Sequence, residues 1–167
     1  IALSYNFFFK RVPYFELIIL SIGYVIRIDA GSRLILVDSS ILMLSSTFFL
    51  ALYFLVIKRV SEINHFQNDR SNKTRYILKF YNKKILQKII IFLIFSLIIN
   101  LLIYTLIRNL NLILSIVFVI LFLLKYYSLS KESTVGENPI NLIFNNYLLL
   151  FLCIIIMVSS LVIYINN

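Results

Sequence analysis

The chain has 167 residues, 61% of them hydrophobic and 14% charged, with a net charge of +9. Ordinary soluble domains are about 45–50% apolar, so the composition excludes a soluble globular domain and points to a polytopic membrane protein. The single cysteine, Cys153, excludes an intrachain disulfide and a CxxC redox or metal site.

Residues 1–9, IALSYNFFF, read as the end of a spanning helix, and the first residue, Ile1, leads us to expect that the chain begins inside a larger protein. Lys10, Arg11 and Pro13 form a short basic turn, with Pro13 suited to the first position of the next helix. The next span is expected over 14–31. It carries Glu16, Arg27 and Asp29, and charge inside a span is costly enough to mark function. At 100° per residue Glu16, Gly23 and Arg27 share one face. Either Gly23 admits a close ligand or backbone between two charges, or the charges snorkel to opposite interfaces.

A short connection, 32–39, leads to a span over 40–57. Its Ser45, Ser46 and Thr47 are expected to bond helix carbonyls or a neighbouring helix. The stretch 58–88 follows, holding nine of the sixteen Lys and Arg residues. A third span is expected over 89–107, where Ser96, Asn100 and Tyr104 repeat every four residues and suggest an interhelical seam or a substrate-lining face. Arg108 to Asn111 is a tight connection. Spans over 112–127 and 142–164 complete the chain, with Tyr126 and Tyr127 placed in an interfacial belt. Between them lies a polar connection with Gly136, Asn138 and Pro139 as helix breakers. The expected fold is therefore all-α: one transmembrane domain over 1–167, with about five complete spans and the tail of one more.

Basic residues collect in cytoplasmic loops. Placing Lys10/Arg11, 58–88 and 125–139 on one side gives that side thirteen of the sixteen basic residues. This makes 58–88 a cytoplasmic loop of a plasma (inner) membrane protein. It also assigns the charge to anionic lipid headgroups, with no nucleic-acid partner.

The loop opens Lys58-Arg59-Val60-Ser61-Glu62. If the helix continues, Lys58 and Glu62 share a face. His65 follows Glu62 by three residues, with Asn64, Asn68 and Asp69 nearby as oxygen donors. One Glu and one His make a weak metal cage. A carboxylate among Lys and Arg suits Mg²⁺ carried by a pyrophosphate better, because that ion completes its shell with water and substrate phosphates. Lys79, Lys83, Lys84 and Lys88 read as an amphipathic, surface-lying segment. There is no glycine-rich phosphate loop, HExxH or nucleophile elbow.

Taken in order, these motifs resemble the UbiA prenyltransferase superfamily, and within it the decaprenyl-phosphate phosphoribosyltransferase branch. The matching segments are Lys10-Arg11-Val12-Pro13, Arg27 followed by Ala30-Gly31, and Lys58-Arg59-Val60-Ser61-Glu62. Arg75-Tyr76-Ile77-Leu78-Lys79-Phe80-Tyr81 and the stretch from Leu123 to Asn146 follow. The likeness covers nearly the whole chain and only the C-terminal part of a nine-helix fold. Two departures stand out. The superfamily's first Asp-rich motif, Asn-Asp-x-x-Asp, is absent. At the second, Lys58, Arg59, Glu62 and Phe66 stand where aromatic prenyltransferases carry Lys and three Asp.

The resemblance implies a transferase that moves 5-phosphoribose from phosphoribosyl pyrophosphate to a polyprenyl (decaprenyl) phosphate, with release of pyrophosphate and with Mg²⁺ as cofactor. It implies Lys10, Arg11, Arg27, Lys58, Arg59 and Arg75 as phosphate partners and Glu62 as the metal ligand, with His65 and Tyr81 as further candidates. No residue is assigned a catalytic proton-transfer or nucleophilic role. Two alternatives stay open: a prenyltransferase acting on an aromatic or haem-like acceptor, and a non-enzymatic membrane component such as a transporter fragment or assembly subunit.

Overall fold

The structure is a computed structural model that describes residues 13–68, 80–108, 112–132 and 139–165. Among the described residues it is all-helical, a bundle of the membrane type. The helices are α1 (Phe15–Leu34), α2 (Ile41–Asn68), α3 (Lys83–Arg108), α4 (Ile113–Glu132), α5 (Pro139–Phe144) and α6 (Tyr147–Ile165).

Local chemistry marks the helix starts. Ser40 caps α2, its Oγ accepting from Met43 N–H at 3.2 Å. Asn82 caps α3, its Oδ1 accepting from Lys84 N–H at 3.0 Å while its carbonyl accepts from Ile85 and Leu86. Asn146 does the same for α6, and Pro139 opens α5 where its missing N–H has no helical partner to lose. These side chains satisfy donors that every helix N-terminus leaves open.

Packing runs along the chain: α2 lies between α1 and α3, α4 contacts α3 and α2, and α6 packs on α4. α3 shows why. Leu86, Ile90, Leu93 and Leu97 recur on one face and are buried, whereas Ile91, Phe92, Phe95, Ile99 and Leu102 on the outer face are exposed. An apolar outer surface of this kind is what a lipid-facing helix presents. The core continues through Tyr53, Val56, Ile57 and Val60 of α2, Leu123 and Tyr126 of α4, and Leu149 of α6.

Polar side chains stitch the helices where apolar packing is not directional. Asn100 Nδ2 donates to Ser45 Oγ at 2.6 Å and its Oδ1 accepts from Ser46 Oγ at 3.2 Å, tying α3 to α2. Ser115 and Ser159 join α4 to α6 at 3.0 Å, and Tyr53 Oη donates to the Leu123 carbonyl at 2.6 Å. The seam expected on α3 is thus real at Asn100, while Ser96 bonds back to Phe92 of its own helix.

Several boundaries differ from expectation. Among the described residues, three helices are long and apolar enough to cross a membrane, within Ile41–Asn64, Lys83–Ile107 and Ile113–Ser130; five spans were expected over the whole chain. The expected span 14–31 is a helix, but its charges keep it out of that group. The expected span 142–164 is broken by a turn at Asn145 and Asn146, because Asn146 caps a new helix rather than continuing the old one. The described residues of the expected loop 58–88 are largely helix: α2 runs through Asn68 and α3 starts at Lys83. Lys83, Lys84 and Lys88 accordingly form the first turns of α3 instead of a separate surface segment. Pro13 sits in a turn ahead of α1, since Tyr14 takes a positive φ of 65° before the helix begins. Tyr126 is fully buried against Tyr53, Phe54 and Phe122 rather than in an interfacial belt. Residues 1–9, the 69–79 part of the loop and the Gly136–Asn138 breakers lie outside the described residues.

Candidate functional site

The site grows from three chain segments that meet at one end of the bundle. The first is the start of α1. Glu16 lies in the first helical turn, where a carboxylate is favoured by the exposed N–H groups and the helix dipole. The second is the last part of α2. Once its apolar stretch ends, the helix carries on and brings Arg59 and Glu62 onto the inward face, one turn apart. The third is the short segment Phe80–Asn82 leading into α3.

Arg59 joins them. Its Nη2 donates to Glu16 Oε1 at 2.6 Å, linking α2 to α1 across 43 residues of sequence, and its Nη1 donates to Glu62 Oε2 one turn on. All three side chains are buried: Glu16 is 4% exposed, Arg59 9% and Glu62 9%. Taking charges out of water is expensive, and such a group persists where each charge is paired. Because α2 continues to Asn68, Lys58 and Glu62 stand four residues apart on one helix as expected, but the ion pair to Glu62 comes from Arg59. Arg59 at three residues' spacing is buried beside Glu62, while Lys58 is half-buried.

Two tyrosines close the site. Tyr14 N–H donates to Tyr81 Oη at 3.2 Å, and Asn82 N–H donates to Tyr14 Oη at 3.2 Å. Their rings meet edge to face with centroids 5.0 Å apart. This reciprocal clasp holds the entry to α3 against the entry to α1 and explains why Tyr14 holds a backbone conformation that side chains rarely adopt. Burial pushes the Tyr81 phenol above its ordinary pKa. The bond from Tyr14 N–H opposes the rise, Glu16 adds to it, and Arg59 opposes it. At neutral pH Tyr81 is therefore the protonated phenol, able to donate as well as accept.

Of the expected site residues, Arg59, Glu62 and Tyr81 come together, with Lys58 alongside. Arg27 does not join them. It lies eleven residues along α1 from Glu16, about 16 Å at the helical rise. It is exposed, with its guanidinium over the Tyr24 ring, 5.7 Å from the centroid. Among the described residues no neighbouring helix backbone approaches Gly23, since a Cβ placed there would meet nothing within 4 Å. His65 lies on α2, one turn beyond Glu62, with its side chain outside the described residues, and Lys10, Arg11 and Arg75 lie outside them altogether.

Glu16 is the member that motif reading missed. It was visible as a charge in an apolar run, but nothing local connects it to Arg59.

The described residues do not by themselves form a magnesium cage. Glu62 and Glu16 both engage Arg59, and among the described residues no group of three His, Cys, Asp or Glu could hold a metal ion. Charge compensation here is the work of the guanidinium. What the arrangement offers chemically is a cation held between two carboxylates, with a phenol beside it, where segments of three helices converge. Fold and site together define a helical bundle of the membrane type with a buried ion-pair cluster at one end. No protein-family model matches the sequence, and no curated protein matches it.

Proposed function

We propose that this chain is part of an integral membrane transferase similar to the UbiA superfamily, acting on phosphorylated substrates at the cytoplasmic boundary of the plasma membrane. The reaction we favour transfers 5-phosphoribose from phosphoribosyl pyrophosphate to a polyprenyl phosphate. An oxygen of the lipid phosphate bonds to the sugar C1, the bond from C1 to pyrophosphate breaks, and the electron pair leaves with pyrophosphate. The bond-breaking stage has oxocarbenium character, as in other glycosyl transfers.

The observation that supports this reading is the buried cluster of Arg59, Glu16 and Glu62 beside Tyr81. Two of the helices meeting there, α2 and α3, are apolar enough to cross a membrane. A lipid-borne acceptor and a water-soluble donor meet at such a level. Arg59 offers planar, charge-assisted donors, which phosphates bind well, and a phosphate oxygen can exchange for one of its carboxylate partners. Lys58 adds positive charge at the rim. Magnesium would be carried by the pyrophosphate donor, where it would neutralise developing charge, and Glu62 would be the residue of this cluster to hold it. Lys10, Arg11 and Arg75 complete the phosphate contacts in this proposal, and His65 stands one helical turn away. Arg27, at its distance from Arg59, serves a different phosphate or none.

One observation favours a second reading. Arg59 already binds two carboxylates, as a purely structural clasp between α1 and α2 would, so a non-enzymatic membrane component is the rival.

The test is to incubate membranes containing the complete protein with radiolabelled phosphoribosyl pyrophosphate and decaprenyl phosphate. Label in the lipid fraction supports the proposal. Label appearing only when a polyprenyl diphosphate and an aromatic acceptor are supplied moves the assignment to a prenyltransferase. No transfer from either donor leaves the clasp.

A further inference from the structure

The end of the bundle remote from Arg59 carries a second built feature, the turn between α1 and α2. We propose that its tip, Leu34–Val37, is a preformed wedge that inserts into the boundary between headgroups and acyl chains of the bilayer. This rests on the membrane reading of α2, α3 and α4, not on the transferase chemistry.

The tip has a fixed shape. Val37 N–H donates to the Ser32 carbonyl at 3.0 Å and Leu36 N–H to the Arg33 carbonyl at 3.2 Å. That pair of bonds closes a helix C-terminus around a residue in the left-handed region, a position usually filled by Gly or Asn. Here it is Leu36, with φ 55°. Asp29 braces the turn from below: its Oδ1 accepts from Ser39 Oγ at 2.6 Å and its Oδ2 from Arg33 Nε at 2.9 Å.

On this frame stand four consecutive apolar side chains, each more than half exposed. Leu34 is 85% exposed, Ile35 70%, Leu36 94% and Val37 57%, and Ile41 at the start of α2 is 85% exposed. The fold gains nothing from Leu at the left-handed position, where Gly is less strained. Its side chain therefore serves something outside the chain.

Three observations select lipid as the occupant. The four residues follow one another through a turn, so they project in different directions. One packed partner covers one face, whereas a fluid apolar layer surrounds all of them. The tip lies next to the apolar outer surface of the bundle, because after three polar residues the candidate span of α2 begins at the exposed Ile41. The patch is also rimmed by Arg33, with a side chain 80% exposed, and by Asp38, also exposed. Charged groups at that level meet phosphate and choline or amine headgroups, while apolar side chains sit just beneath.

The test places a nitroxide at Leu36→Cys in a Cys153→Ser background, with the full chain in phosphatidylcholine–phosphatidylglycerol nanodiscs. Val37→Cys serves as a second site, and Phe95→Cys, on the exposed apolar face of α3, as a deep reference. Collision rates with oxygen and with a water-soluble nickel chelate are measured at each. The expected result is oxygen access exceeding nickel access at residues 36 and 37, at a shallower depth than at 95. Nickel access dominating at 36 and 37 while 95 stays lipid-exposed overturns the wedge alone. Suppression of both collisions at 36 and 37 means a protein partner covers the tip and also overturns it. Water-like access at 95 overturns the membrane reading on which the wedge rests.

Discussion

Both ends of the α1–α2 pair hold a carboxylate bonded to a guanidinium, and the two pairs do different things. At the far end Asp29 and Arg33 sit four residues apart on one helix, and the arginine side chain is 80% exposed. At the near end Arg59 reaches Glu16 across 43 residues and Glu62 across three, and all three side chains are buried. An exposed pair shares its charge with water and ions and is worth little. A buried pair is a commitment: removing one partner leaves the other in a medium that does not solvate it. The same two functional groups thus trim a turn at one end and fix the position of two helices at the other.

The comparison breaks most sharply at Arg59. Arg59→Met strips both carboxylates of their guanidinium. It should destabilise the bundle by about 3–5 kcal/mol, read as loss of the thermal transition in detergent. Replacing the whole cluster (Glu16→Leu, Arg59→Met and Glu62→Leu) should return most of that stability, since exchanging a complete buried ion group for apolar side chains is often neutral or favourable. If the triple variant is no more stable than Arg59→Met alone, the cluster is not an isolated ion group.

Smaller effects should follow along the helices. Asn100→Leu removes the bonds to Ser45 and Ser46 and should cost about 0.6–2 kcal/mol, the range for interhelical hydrogen bonds in membranes. Tyr81→Phe deletes the acceptor of Tyr14 N–H and should cost about 1 kcal/mol. It should also change the response to alkali. The Tyr81 phenol is held above its ordinary pKa in the folded chain. Its contribution is therefore complete below about pH 10, the ordinary tyrosine value, and is lost as pH rises through the folded value. Tyr81→Phe should shift the alkaline unfolding midpoint upward relative to its own stability at neutral pH. Smallest of all, Arg33→Gln should leave the thermal transition in place. A large loss there would erase the distinction between the two ends.

How much of this was legible in the sequence depends on the range of each interaction. Composition fixes the helical class, because a chain so apolar has few other ways to satisfy its backbone in lipid. The seam at Asn100 was readable because polar side chains recur every four residues. Span boundaries were less readable, because charge stops an apolar run without stopping a helix. Lys58 and Arg59 end the hydrophobic stretch, yet α2 continues to Asn68. At Asn145-Asn146 the reverse holds, and a cap interrupts what looked like one span. In the site, Arg59 and Glu62 were singled out by the motif that carries the family resemblance, while spacing alone drew attention to Lys58 and Glu62. The Tyr81 contact and the role of Glu16 come from tertiary packing, and no period in the sequence links residues 16, 59 and 81. Arg27 was grouped with the site because it stands, ahead of Ala30-Gly31, at a motif of the resembling family, whereas its distance along α1 separates it.

We propose that the Glu16–Arg59–Glu62 cluster is the working site of a phosphate-handling enzyme and more than a clasp. The apolar triple variant separates the two, because it keeps the helices together while removing the charges. Transfer of radiolabel from phosphoribosyl pyrophosphate to decaprenyl phosphate should be measured in parallel for the complete wild-type protein and for a folded triple variant. The account predicts labelled lipid from the first and none from the second. Equal labelling by both would contradict it.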